Sequence, residues 1–239
     1  MTMRRTLTAA LALGAVLGST SALQAQTIPS SFQHIDEKQS FGISAGYLFT
    51  QPSLEINGVE VEFGPQSAPM VDARYQIRLG GPLSGEVRAG FSPTKRKVYA
   101  PTTEQDPTLF VPAEVGEENV ALVFGEAGLV FHLTGPRTWK GLAPFLAGTG
   151  GIVTDANRGS SLETDIPEAA RFDFGPGFAL GMGIGTDWFP TRRMSVRVEA
   201  RDRLWKVEAP LNLANLAGRR SVSEWTHNFS LNLGAALHF

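Results

Sequence analysis

The sequence predicts an all-β fold: an eight-stranded antiparallel up-and-down transmembrane β-barrel. Its last segment alternates, with Phe229, Leu231, Leu233, Ala235, Leu237 and Phe239 on one parity and Asn228, Ser230, Asn232, Gly234, Ala236 and His238 on the other. A period of two over about ten residues is what a tilted strand needs to cross a bilayer core. Seven earlier stretches alternate as well, and the connections between consecutive stretches are by turns long and short. A third sign is a strand with bulk on one face and glycine on the other, as a narrow barrel interior requires.

The predicted strands follow in order. The first, Phe41 to Phe49, sets Phe41, Ile43, Ala45, Tyr47 and Phe49 against Gly42, Ser44 and Gly46. The second, about Met70 to Leu79, sets Val71, Ala73, Tyr75, Ile77 and Leu79 against Asp72, Arg74, Gln76 and Arg78; the third sets Val87, Ala89 and Phe91 against Glu86, Arg88, Gly90 and Ser92. The fourth, about Val120 to Leu133, and the fifth, about Leu142 to Val153, are apolar or small on both faces; in the fourth, Val123, Ala127, Leu129 and Phe131 are assigned outward and Glu126 inward. In the sixth, Phe172, Phe174, Phe178, Leu180, Met182, Ile184 and Trp188 oppose Asp173, Gly175, Gly177, Gly181, Gly183, Gly185 and Asp187. The seventh alternates Met194, Val196, Val198 and Ala200 with Ser195, Arg197, Glu199, Arg201 and Arg203, and the eighth is the terminal strand.

Alternation leaves open which face is outside, because a soluble ligand-binding barrel turns its apolar face inward. The glycines of the sixth strand decide for an apolar exterior, since Gly177, Gly181, Gly183 and Gly185 leave room for the long arms of Arg74, Arg88, Arg197 and Arg201. The register is strongly held. A slip of one residue in the seventh strand would turn two arginines to hydrocarbon at about 2–4 kcal/mol each near the midplane. Asp202 alone resists the scheme, sharing parity with the lipid-facing set. It is expected near an interface, where the penalty falls toward zero, or on a bulge.

Three features divide the chain. Arg4 and Arg5 precede an apolar run from Leu7 to Leu17 and a small-residue site after Ala25, so residues 1–25 read as a secretory signal peptide. Residues 26–39 are a short N-terminal segment, and residues 40–239 are one barrel domain. With no cysteine there is no disulfide framework or thiolate site, and the formal charge of −2 gives no footprint for nucleic acid.

With the leader, the strands, the segment Val196 to Asp202 and the ending Trp225 to Phe239 in place, the chain resembles the small bacterial outer-membrane β-barrel family. Members of that family look like the barrel domain of outer-membrane protein A and the opacity-type porins. In such barrels the termini and short turns are periplasmic and the longer loops extracellular. The alternation matches: Gly80 to Ser84, Thr134 to Gly141 and Pro190 to Arg193 are short, whereas residues 50–69, 93–119, 154–170 and 206–224 are long and polar. The likeness implies a monomer in the cell outer membrane, in contact with outer-membrane lipid and lipopolysaccharide and inserted by the barrel-assembly machinery. It also implies that Phe229, Leu231, Leu233, Leu237 and Phe239 form a C-terminal assembly signal. Some relatives carry a peptidoglycan-binding domain after the barrel; this sequence ends at Phe239, so that role is not expected.

The candidate site is the set of inward charges: Asp72, Arg74, Arg78, Glu86, Arg88, Glu126, Asp173, Asp187, Arg197, Glu199, Arg201 and Arg203. Buried charges persist when paired, so these are expected to plug the lumen; the rival reading is a narrow, gated pathway for ions or very small solutes. A lipid A-modifying site at His227 and Ser230 is weaker, because residues three apart on a strand point to opposite faces. His34, His132 and His238 lack metal-ligand spacing, and the glycine runs at 148–151 and 175–185 do not open helices as phosphate loops do. The expectation is a non-enzymatic barrel, without cofactor or metal, that serves envelope structure or binds through loops such as Thr102 to Pro107.

Overall fold

Every second side chain of a strand points the same way, and in this chain the two sets differ in kind along eight strands that close on themselves. The computed structural model describes residues 31–50, 52–56, 59–99, 114–157, 172, 174–209 and 223–239. The proposed leader, the residues up to 30 and the loop at 102–107 lie outside the described residues.

The described residues form twelve strands: β1 Phe32–His34, β2 Gln39–Phe49, β3 Ser53–Ile56, β4 Val59–Glu62, β5 Ala68–Gly80, β6 Leu83–Tyr99, β7 Glu114–His132, β8 Arg137–Trp139, β9 Leu142–Asp155, β10 Gly177–Thr191, β11 Met194–Glu208 and β12 Ser223–His238. Eight of them form the barrel in the order β2-β5-β6-β7-β9-β10-β11-β12, every neighbour antiparallel. The seam closes between β12 and β2, from Phe229 opposite Phe49 to His238 opposite Ser40. Beyond the ladder, Gln39 and Phe239 exchange both backbone hydrogen bonds, at 3.0 and 2.9 Å.

The four minor strands belong to the connections. β3 and β4 pair as a hairpin between β2 and β5, and β1 pairs with β8 inside the β7–β9 connection. Neither was legible in the sequence, being only three or four residues long. One end of the barrel, the turn end, carries the short connections β5–β6, β7–β9 and β10–β11. Gly81, Gly135 and Gly141 adopt positive φ there, of 52°, 65° and 81°, a conformation glycine reaches without a Cβ clash. The long connections all leave from the opposite, loop end.

The outward set forms an apolar belt around the closed wall. Ile43 and Met182 are each 62% exposed, Leu233 60% and Ile184 60%, with Val71, Val87, Leu129, Ile152 and Val198 continuing the belt on the other strands. A belt of this extent has no place in water, and a bilayer covers it. Glu126 is buried while Val123, Ala127, Leu129 and Phe131 face out. In β9, the strand whose two faces looked alike, Ala143, Phe145, Ala147, Thr149 and Val153 turn inward.

The sixth predicted strand begins later than its alternation suggested. β10 starts at Gly177, after Pro176, which has no N–H to give to a ladder. Phe172 and Phe174 therefore leave the outward row to which their parity assigned them. Phe174 is buried, with its ring stacked on Phe172 at a 6.3 Å centroid separation. Tyr47, Phe49 and Phe229 do form an outward aromatic group at the loop end, Tyr47 and Phe49 having centroids 4.9 Å apart and Phe49 and Phe229 6.3 Å.

Asp202 faces outward with no bulge, since β11 pairs with β12 in unbroken register. Its carboxylate meets His227 Nδ1 at 2.7 Å, so the odd charge on the apolar belt has a partner from the adjacent strand.

An arginine placed in the middle of the belt separates this exterior from any soluble arrangement. Leu233→Arg is expected to lower the unfolding free energy in lipid vesicles by about 2–4 kcal/mol, and Trp225→Arg at the loop end by about 1 kcal/mol or less. Urea titration followed by the heat-dependent gel shift measures both; equal effects at the two positions would contradict the belt.

Candidate functional site

The inward parity of the eight strands delivers charged groups to the middle of a narrow lumen, and there they meet. Arg201 on β11 reaches three strands besides its own: its Nε donates to Glu199 Oε1 at 2.7 Å, Nη1 to Glu126 Oε2 and Thr149 Oγ1 at 3.0 Å each, and Nη2 to Glu86 Oε1 at 3.2 Å. Arg197 grips Asp187 with two nitrogens, at 2.8 and 2.7 Å, and also reaches Glu86 Oε2 and Gln76 Oε1 at 2.9 Å each. Arg88 joins Glu199 at 2.7 Å, Glu86 at 3.1 Å and Asp72 at 3.5 Å. Arg203 donates to Glu126 Oε1 at 2.6 Å and to Ser230 Oγ at 2.9 Å.

These bonds make one connected lattice spanning β5, β6, β7, β9, β10, β11 and β12. Every guanidinium and carboxylate in it is buried; Arg201 and Glu199 are 0% and 1% exposed. Ion pairs this dry do not stabilise a fold by themselves, because desolvation offsets much of the Coulomb attraction. Their consequence lies in geometry, since removing one member strands the others. Aromatic faces complete the packing, with Arg197 lying 4.2 Å from the ring centroid of Phe145 and Arg203 4.5 Å from that of Phe124.

Glycine makes the room. A Cβ on Gly183 would lie 2.9 Å from Glu199 Oε1 and 3.5 Å from Arg201 Nε, and one on Gly181 would overlap Thr149 Oγ1. At Gly185 the space is taken by the ring of Phe145 and the backbone of Val198, and Gly177 is met by nothing closer than the backbone of Val153 at 3.9 Å. The glycine face of β10 thus admits Arg201, Glu199, Thr149 and Phe145; the arms of Arg74, Arg88 and Arg197 lie elsewhere.

The predicted charges among the described residues fall into three groups. Asp72, Glu86, Arg88, Glu126, Asp187, Arg197, Glu199, Arg201 and Arg203 are in the lattice. Arg74 is buried beside it at 2% exposure, and no protein acceptor meets any of its three nitrogens. Arg78 sits apart at the turn end, half-buried, donating to the carbonyl of Ile35 at 2.5 Å. Asp173 lies outside the described residues. Of the terminal-strand residues, Phe229, Leu231, Leu233, Leu237 and Phe239 all lie exposed on the outer face.

Above the lattice, toward the loop end, the lumen changes character. Leu48, Met70, Val120, Leu122, Phe124, Val153, Ala179, Trp205 and Val207 form a buried apolar cluster, joined by Val61 of β4, by Phe63 and by Phe174. Sequence reasoning missed this tier, although parity carried the signal. Trp205 continues the row of Arg201 and Arg203, and Leu122 and Phe124 precede Glu126 on the same face. Below the lattice, Ser40, Gln76, Ser84, His132, Asp187 and His238 line a small polar cleft at the turn end. There Gln76 Nε2 meets His132 Nε2 at 2.8 Å and Ser195 Oγ meets His238 Nε2 at 2.8 Å.

His227 and Ser230 are not brought together. The imidazole lies outside against Asp202, while the Ser230 hydroxyl lies in the lumen against Arg203. Among the described residues no group of three or more His, Cys, Asp or Glu side chains is arranged to hold a metal ion.

A closed, eight-stranded antiparallel barrel is the fold of the small outer-membrane β-barrels. The chain is similar to the outer membrane protein OprG of Pseudomonas aeruginosa, with a TM-score of 0.53 and 11% identity over 85% of this chain and 97% of that one. It is also similar to the N-terminal β-barrel domain of Pseudomonas aeruginosa OprF, with a TM-score of 0.45 and 10% identity over 85% and 98% of the two chains. Outer membrane protein W of E. coli gives a TM-score of 0.40 and 11% identity over 85% and 100%. No family model matches the sequence, and no curated protein matches it. At 11% identity the likeness to OprG establishes the fold alone.

The lattice makes unequal demands on its members. Glu86 serves Arg88, Arg197 and Arg201 at once, so Glu86→Gln is expected to cost about 3–5 kcal/mol of unfolding free energy. Lys95→Met, which breaks the solvent-exposed pair of Lys95 with Glu117, should leave the same urea transition unmoved. Equal shifts for the two variants would show that the lumen is wet and its charges individually solvated.

Proposed function

We propose that the chain is a non-enzymatic outer-membrane barrel with a sealed lumen, which serves envelope structure and binds through its loop end. In this reading residues 1–25 export it, the assembly machinery inserts it using the terminal strand, and it stands as a monomer among lipid and lipopolysaccharide. The turn end and both termini face the periplasm, and the loop end faces outward. The observation that supports the sealed lumen is the continuous lattice centred on Arg201, capped by the apolar tier around Trp205. An ion would have to displace buried, mutually bonded charges and then pass the large side chains of Leu122, Phe124 and Trp205, at a level where the inward hydroxyls of Ser92 and Thr94 already donate to the carbonyls of Pro69 and Gln66. The separation of His227 from Ser230 supports a non-enzymatic role. Loops held by a rigid wall are the part of such a protein best suited to recognition.

Planar-bilayer recording tests the sealed lumen. The reconstituted chain should show no resolved conductance steps, and Glu126→Ala or Arg197→Ala, by breaking the lattice, should produce intermittent openings. Steady conductance in the unmodified chain, abolished by either substitution, would establish the narrow channel instead.

A further inference from the structure

Arg74 is the one guanidinium of the central lumen, among the described residues, that the lattice leaves out. It lies on the inward face of β5 between Asp72 and Gln76. It is 2% exposed, and neither Nε nor either Nη has a hydrogen-bond partner. Its cross-strand neighbour on β6 is Arg88, whose Nε is likewise without an acceptor. Its neighbour on β2 is Gly42, where a Cβ would come 3.0 Å from the Arg74 guanidinium carbon, so the absence of a side chain there makes space for the group.

The nearby protein acceptors are engaged elsewhere. Asp72 accepts from Ser44 at 2.7 Å and from Arg88 at 3.5 Å. Asp187 is held at both oxygens by Arg197, and Glu86 is shared among Arg88, Arg197 and Arg201. What this part of the lumen has in surplus is therefore donors: three nitrogens of Arg74 and one of Arg88, without an acceptor to meet them. A buried guanidinium left so is strongly unfavourable, and a chemically matching partner carries acceptor capacity and no donor.

We propose that Arg74 is the centre of a buried site for a small monovalent inorganic anion of halide size. The charge count sets the valence. In the central lumen five carboxylates (Asp72, Glu86, Glu126, Asp187, Glu199) face five guanidiniums (Arg74, Arg88, Arg197, Arg201, Arg203), with a sixth buried guanidinium, Arg96, nearer the loop end, so one added negative charge is tolerated far better than the two of sulfate or hydrogen phosphate. Access is from the turn end. Gln76, the next inward residue of β5 after Arg74, lines the polar cleft there together with Ser40, His132 and His238. The site is a dead end, because the lattice and the apolar tier close the lumen beyond it.

The test uses bromide as the probe. The full chain is refolded into detergent in sodium bromide and, at equal ionic strength, in sodium gluconate, whose anion is too large for the site. The unfolding temperature should be several degrees higher in bromide, and crystals grown in bromide should show an anomalous peak within hydrogen-bond distance of the Arg74 guanidinium. Arg74→Met should lose both effects; if that variant does not fold, Arg74→Gln, which removes the charge and keeps a polar side chain in the lumen, should lose the bromide dependence. A peak without anomalous signal at Arg74, a carboxylate bonded to it, or the same unfolding temperature of the unmodified chain in both salts would overturn the proposal.

Discussion

Arg201 holds the barrel's interior together by bonding Glu199, Glu126 and Glu86 at once, from three different strands. A planar donor with five N–H groups can do this, and a lysine's point charge in the same place could not satisfy three fixed carboxylates. The pairing sets the rest. Glu86 and Glu199 then fix Arg88, Glu86 and Asp187 fix Arg197, and Glu126 fixes Arg203. Because each member sits on an inward parity position, the lattice also opposes register slips. Moving any of these strands by one residue would send its charges into the lipid belt.

The exterior and interior thus divide the work. The apolar belt gives the fold its place in a bilayer, while the lattice contributes little net energy and much specificity. Its members are costly to remove singly because each leaves partners buried and unpaired. Asp202 and His227 follow the same rule on the outside, where a charge that parity places on the belt is kept by a partner across the strand.

Most of the wall was legible in the sequence, because closure and lipid impose a period of two that composition cannot hide. Phe229 to Phe239, Arg197 to Arg203 and Asp72 to Arg78 each announced both face and register. Pairing partners were not legible. Nothing in the order of residues distinguishes Arg201, with three carboxylates, from Arg74, with none, since the difference arises from strand stagger and from which glycines make space. The short strands β1, β3, β4 and β8 were hidden because three or four residues carry no readable period. Phe172 and Phe174 were misplaced because alternation continued, by coincidence, past Pro176. Trp205 and Leu122 show the opposite case, in which the parity was readable but attention to charge obscured an apolar tier above it.

The most direct measurement of a filled, dry lumen is the exchange of guanidinium protons with water, followed by NMR on the barrel in lipid bilayers. A fixed lattice predicts separate, slowly exchanging Nε–H signals for Arg197, Arg201 and Arg203, alongside a rapidly exchanging signal from surface Arg193. Averaged signals for all four, exchanging at the rate of free arginine, would contradict it.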